Sequence, residues 1–166
     1  MEYNFVGYGS LLSHRSLSHT IKNKKFIPVI VKGYKRIFDL GGGKSRSDVL
    51  NLEEDKKEKF NGVLFSVSDA ELRKIKKRED GYDMKSGEAY DFSTGKKLGK
   101  CLLVIDHQDI DYKKMEPDKD YFILCREAAY HISKKFGKFW DKTTFISDEE
   151  RVSNWIKKHR EFNTIK

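Results

Sequence analysis

The sequence predicts an α+β fold in a single domain, residues 1–166, and three observations carry that prediction. Short apolar runs bounded by glycine or charge, such as Phe5-Val6-Gly7 and Phe60 to Val67, read as strands. Two stretches repeat apolar residues at helical intervals, one after Ser68 and one from Tyr121. A chain of 166 residues that is 37% hydrophobic can bury a real core, and no repeat of 20 to 50 residues divides it.

Tyr3 to Gly7 is the first strand. It runs into Gly7-Tyr8-Gly9-Ser10-Leu11-Leu12, where two glycines one residue apart permit positive φ and close backbone approach. Two readings fit this turn: a tight link from strand to helix, or a cradle whose Gly9, Ser10 and Leu11 N–H groups face an anion or a carbonyl oxygen. Leu11, Leu12, Leu17 and Ile21 suggest one or two short helices, with His14 and His19 as surface or packing residues. Phe26 to Val31 is a strand entered near Pro28, and Gly33 to Asp39 continues as strand. Gly41 to Ser45 lacks the spacing of a phosphate loop and reads as a mobile loop. Val49 to Leu52 is then a short strand, and Glu53 to Lys59 a charged hairpin connection.

Phe60 to Val67 is the clearest strand. Ser68 followed by Glu71 forms a capping box that opens a helix from Asp69 to about Arg78, with Leu72 and Ile75 on its apolar stripe. Glu79 falls near that stripe at the helix C-terminus, where the helix dipole and partial burial both raise a carboxylate's pKa toward that of a general base. A solvated glutamate in the charged run Lys76 to Asp80 is the alternative. Gly81 ends the helix and Tyr82 leads on.

Tyr82 and Tyr90 are each a pocket aromatic or simple packing, and Ser93-Thr94-Gly95 is a turn before the strand Lys100 to Asp106. Residues 109–120 form a polar connection, and Tyr121 to Phe136 an amphipathic helix whose start brings Tyr121 either to a pocket or into packing. Phe139, Trp140 and Phe145 supply bulk. Ser147 and Glu150 form a second capping box before a last helix with the stripe Val152, Trp155 and Ile156, which packs inward or covers a partner.

The net charge of +8 comes mostly from lysine, and the basic runs at 22–25, 73–78 and 157–160 are separated by acidic stretches. That pattern suits a small acidic metabolite, makes a nucleic-acid partner unlikely, and shows no finger or RNP pattern. No apolar run reaches membrane length and no leader is recognisable, so a soluble cytoplasmic protein with no membrane partner is expected. Cys101 and Cys125 have no metal-ligand spacing and read as core thiols. No metal or cofactor is expected, and the state is monomer or homodimer.

Taken in order, Phe5 to Leu12, Gly33 to Phe38, Gly62 to Phe65 and Leu72 to Asp83, with Arg78-Glu79 and Gly81-Tyr82, resemble the gamma-glutamylcyclotransferase superfamily, and most of all its glutathione-degrading, ChaC-like branch. The resemblance spans about residues 3–90. It implies a small closed mixed β-barrel packed by helices. It also implies a substrate-binding turn at Tyr8, Gly9, Ser10 and Leu11, and Glu79 as catalytic acid/base. The chemistry implied is release of 5-oxoproline from a gamma-glutamyl compound, with glutathione the expected substrate. Tyr82, Tyr90 and Tyr121 are the remaining candidate substrate contacts. Open alternatives are another gamma-glutamyl amine, an unrelated small anionic substrate, or a noncatalytic binding module. Selectivity is expected from the loops at Leu40 to Asp48 and Tyr82 to Thr94.

Overall fold

The structure, a computed structural model, describes residues 1–9, 25–41, 48–78, 83–105, 117–146 and 149–166. Strand β1 (Glu2–Gly7) pairs antiparallel with β3 (Asp48–Ser68), Phe5 opposite Phe65 and Gly7 opposite Val63. On its other side β1 runs parallel to β5 (Lys97–Ile105), with Phe5 opposite Leu102. β5 pairs with β4 (Asp83–Asp91), β4 with β2 (Ile27–Gly41), and β2 with β3, all antiparallel. The five strands therefore close into a ring of mixed parallel and antiparallel pairs, as the resemblance implied. A two-residue strand, β6 (Thr144–Phe145), adds in parallel beside Arg36 and Ile37 of β2.

The first helix, α1 (Asp69–Arg78), starts as its sequence dictates. The Ser68 hydroxyl accepts from the Glu71 N–H at 3.2 Å and the Glu71 carboxylate accepts from the Ser68 N–H at 3.1 Å, so two orphan donors are satisfied reciprocally. Leu72 and Ile75 are buried below it.

Three elements differ from expectation. Residues 48–68 form one strand, with no connection at 53–59. The charged residues there hold strand geometry because β2 runs directly opposite, Lys35 facing Glu53 and Tyr34 facing Glu54, across a register shift between Lys32 and Tyr34. Residues 83–91, expected as loop, form β4 although DMKSGEAYD has no apolar alternation. Pairing on both sides, with β5 from Asp83 opposite Ile105 and with β2 from Val29 to Val31, satisfies its backbone and overrides the side-chain pattern.

The third difference is a helix cut in two. Ser133 is extended (φ −171°, ψ 159°), ending α2 (Lys119–Ile132), and its hydroxyl accepts from the Phe136 N–H at 3.0 Å to cap α3 (Lys134–Thr143). The turn folds Gly137 onto Tyr130, where a Cβ would lie 2.3 Å from the ring. The last helix is correspondingly short, α4 (Val152–Trp155), followed by a 3-10 turn at Arg160–Phe162. Val152, Trp155, Ile156 and Phe162 are buried, so the expected stripe packs inward. Among the described residues, no helix is long and apolar enough to cross a membrane.

Two arginines lie in this core. Arg36 is fully buried; its guanidinium donates to Thr144 Oγ1 (2.8 Å), Asn61 Oδ1 (2.7 Å), Thr143 Oγ1 (3.1 Å) and the Asn61 carbonyl, tying β2 to β3 and to the end of α3. Arg126 meets Asp141 in a two-pronged ion pair at 2.9 and 3.0 Å, and donates to Asn163 Oδ1 at 2.7 Å. That pair joins α2 to α3 and fastens the C-terminal segment over both.

Candidate active site

Tyr8 and Gly9 leave the end of β1, and the backbone there is held by what surrounds it. The Tyr8 hydroxyl donates to the Val104 carbonyl of β5 at 2.6 Å, and its ring meets Phe60 edge-on at 5.7 Å. Gly9 lies against Tyr121 of α2: a Cβ at position 9 would stand 2.6 Å from the Tyr121 hydroxyl and 3.6 Å from Leu50 Cβ. Only glycine permits this approach, so the Gly-Tyr-Gly spacing serves a packing need that spans most of the chain.

Tyr121 sits in the first turn of α2, where Asp118 caps the helix by accepting from the Tyr121 N–H at 2.9 Å. Its ring meets Phe38 edge-on at 6.3 Å. Burial pushes its phenol well above the ordinary tyrosine value, and the neighbouring Cys125 and Tyr8 push it the same way. The hydroxyl therefore keeps its proton throughout the physiological range; it lies beside the Gly9 backbone and is hydrogen-bonded with the Cys125 side chain and the Leu50 backbone.

Burial also pushes the Cys125 thiol up to about 12 and the Cys101 thiol up to about 11. Neither is available as a thiolate nucleophile near neutral pH. No group of acidic, histidine or cysteine side chains able to hold a metal occurs among the described residues.

Behind Tyr8 stands a cation. The Arg36 guanidinium lies 5.7 Å from the centre of Phe60, the ring that touches Tyr8, and 5.3 Å from that of Trp140. Burial lowers the Arg36 pKa to about 9, which still leaves it charged at neutral pH. Among the described residues, its hydrogen bonds go to neutral oxygens. Its field in this low-dielectric setting favours an anion in front of Tyr8.

Of the expected site residues, the structure brings Tyr8, Gly9 and Tyr121 together. Tyr90 sits opposite Ile30 and Lys97 with the Lys32 ammonium 4.5 Å above its ring, on a different stretch of the sheet from those three. Ser10, Leu11, Glu79 and Tyr82 lie outside the described residues, as do the helices expected around His14 and His19, the glycines at 42 and 43, and Ser147. The strand that follows Tyr82 starts at Asp83 opposite Ile105, with Met84 opposite the same Val104 that accepts from Tyr8. Phe38 and Leu50 were not anticipated. They are register partners near the far end of the β2–β3 pair, and the only signal in the sequence was their place beside the loop at 40–48.

A profile of the ChaC-like protein family matches residues 4–144. No curated protein sequence gives a significant match. Among solved structures, a gamma-glutamyl cyclotransferase superposes with a TM-score of 0.70 at 15% identity, covering 95% of this chain and 99% of its own. A yeast gamma-glutamyl cyclotransferase described as specific to glutathione gives 0.58 at 12% identity, covering 98% and 97%. An uncharacterised human protein gives 0.65 at 15%, covering 94% and 98%. At these identities the neighbours speak for the fold, while the profile spans well over half of the sequence. The chain belongs to the ChaC-like protein family.

Proposed function

We propose that this protein cleaves glutathione to 5-oxoproline and cysteinylglycine, with Glu79 as the acid/base. The observation that carries the reading is the close approach of Gly9 to the Tyr121 hydroxyl, which supports a substrate-binding turn at Tyr8 through Leu11. The buried Arg36 charge behind that turn suits a substrate rich in carboxylates.

In this mechanism the Glu79 carboxylate takes a proton from the substrate's α-ammonium. The freed amine attacks its own γ-carbonyl carbon, forming the C–N bond of the five-membered ring and a tetrahedral oxyanion. Collapse breaks the bond to the cysteinyl nitrogen. Two protons pass in all from the attacking to the leaving nitrogen, and Glu79 ends as it began. N–H donors of the Gly9 to Leu11 turn hold the oxyanion or the substrate's α-carboxylate, and the protonated Tyr121 hydroxyl lies on the same side. Tyr82 completes the substrate contacts in this scheme. The reaction is intramolecular, so the site's main task is to hold the folded-back conformer.

Purified protein incubated separately with glutathione, gamma-glutamyl amino acids and gamma-glutamyl amines, then assayed by mass spectrometry, is expected to give 5-oxoproline from glutathione. The Glu79→Gln variant is expected to keep the fold and lose at least about a thousandfold in kcat, since the amide cannot accept the proton. Turnover retained by that variant sinks the mechanism. A product from another gamma-glutamyl compound alone moves the substrate and keeps the chemistry.

A further inference from the structure

Helix α3 carries four exposed lysines, Lys134, Lys135, Lys138 and Lys142, and its one carboxylate, Asp141, is buried in the pair with Arg126. Most of these placements work against the helix, Lys142 in its last turn being the exception. Lys134 and Lys135 occupy the first turn, where the dipole favours acids and none is present. Lys134, Lys138 and Lys142 repeat at i, i+4 and i+8, so like charges stand about 6 Å apart along the axis. Beside this helix the strands repeat the pattern, with Lys32 of β2 directly opposite Lys59 of β3, both exposed. Like charges directly opposite across a ladder are destabilising.

These placements form one continuous face. The Lys59 ammonium lies 5.8 Å from the Phe139 ring of α3, and Lys135 and Lys142 flank Phe139 on the helix surface at i−4 and i+3. The Lys32 ammonium lies 4.5 Å above Tyr90. Phe139 and Tyr90 are both half-buried, and Phe92 joins Phe139 edge-on at 5.5 Å. Among the described residues none of the six lysines enters an ion pair; the nearby Glu58 is held by Arg151 at 3.2 Å.

We propose that this face binds single-stranded nucleic acid, the lysines meeting successive phosphates and the edges of Phe139 and Tyr90 meeting bases. A row of unpaired cations that costs the fold stability matches a polyanion, whose bound counterions it would release. The half-buried rings set among the lysines offer bases edge contacts that an acidic peptide's carboxylates do not need. A membrane surface fits less well, because the exposed large hydrophobics among the described residues are Met1, Leu98 and Leu124, none of them on α3, β2 or β3. This inference stands apart from the cyclotransferase reading and can fail without it.

The test is fluorescence anisotropy of a labelled oligo-dT or oligo-U of roughly 15 nucleotides, titrated with the full chain at about 50 and about 200 mM salt. Affinity should fall steeply with salt. The double variant K59Q/K138Q should weaken binding roughly tenfold at the lower salt and flatten the salt slope by about 1.4, near 0.7 for each phosphate no longer neutralised. K74Q/K76Q on α1, with the same change in charge, should leave both unchanged. Phe139→Leu should weaken oligonucleotide binding several-fold and leave heparin binding as it was. No binding at the lower salt, equal losses in both double variants, or an F139L variant that binds both polyanions like wild type would overturn the proposal.

Discussion

Tyr121 and Tyr130 stand on the same helix, α2, and each is pressed against a glycine. At Tyr130 the whole ring lies on Gly137, with three ring carbons between 2.3 and 2.6 Å from where a Cβ would be, and the hydroxyl is spent on Asp141 at 2.6 Å. At Tyr121 the tip touches: the hydroxyl is the nearest atom to a Cβ at Gly9, at 2.6 Å, while the ring stays farther off. Burial raises both phenols, Tyr130 to about 12 with help from its bond to Asp141, and Tyr121 well above its usual value beside Cys125 and Tyr8. The same pairing of residue types thus serves two ends. One tyrosine uses its ring to join two helices, and the other sets its hydroxyl, shared with Cys125 and the Leu50 backbone, against the backbone of Gly9.

The largest effect that separates them is expected at Gly137. Gly137→Ala forces the Tyr130 ring out from between α2 and α3 and should cost about 3 kcal/mol, a Tm drop of roughly 6–12 °C, with kcat/KM per folded molecule unchanged. A thermal melt that matches wild type would show that the two helices give way, and the distinction would fall.

Gly9→Ala is the mirror case. Displacing the Tyr121 hydroxyl by about an ångström should lower kcat/KM roughly a hundredfold while Tm falls far less than in the first variant. Adding Tyr121→Phe removes the clashing oxygen and should return most of the lost Tm but little of the activity. Activity restored along with Tm would mean that Tyr121 is packing, as Tyr130 is.

The smallest expected effect is in pH dependence. Because the folded pKa of Tyr121 is raised, its contribution to stability is complete below the unfolded value near 10 and is lost as pH climbs toward the folded value. Urea unfolding of wild type should therefore weaken between about pH 9 and pH 11 more than that of Tyr121→Phe, with a difference in slope of at most about 1.4 kcal/mol per pH unit. Parallel curves would mean that the hydroxyl is solvated in the folded protein.

Local signals made much of this legible in sequence. β1, the strand at 60–67 and the Ser68–Glu71 box depend on neighbours a few residues away, and they stand where their patterns put them. What escaped depended on distant partners. β4 has no apolar alternation to read and exists because β2 and β5 flank it, and residues 53–59 are strand because β2 lies opposite. The break at Ser133 leaves a helical pattern on both sides and is visible only once Gly137 meets Tyr130. Within the candidate site, the Gly-Tyr-Gly turn was readable. Its need for glycine was not, because the atom that forbids a side chain belongs to Tyr121.

The parallel seam between β1 and β5 has a consequence for synthesis on the ribosome. Strand β1 cannot close the ring until Leu102 has followed it out, and Gly9 waits longer still for Tyr121. β2 and β3, which pair with each other, can fold while the rest is being made. A nascent chain stalled before residue 97 would hold a formed hairpin and an unclosed β1. It would offer a chaperone the exposed strand edge that the finished ring conceals.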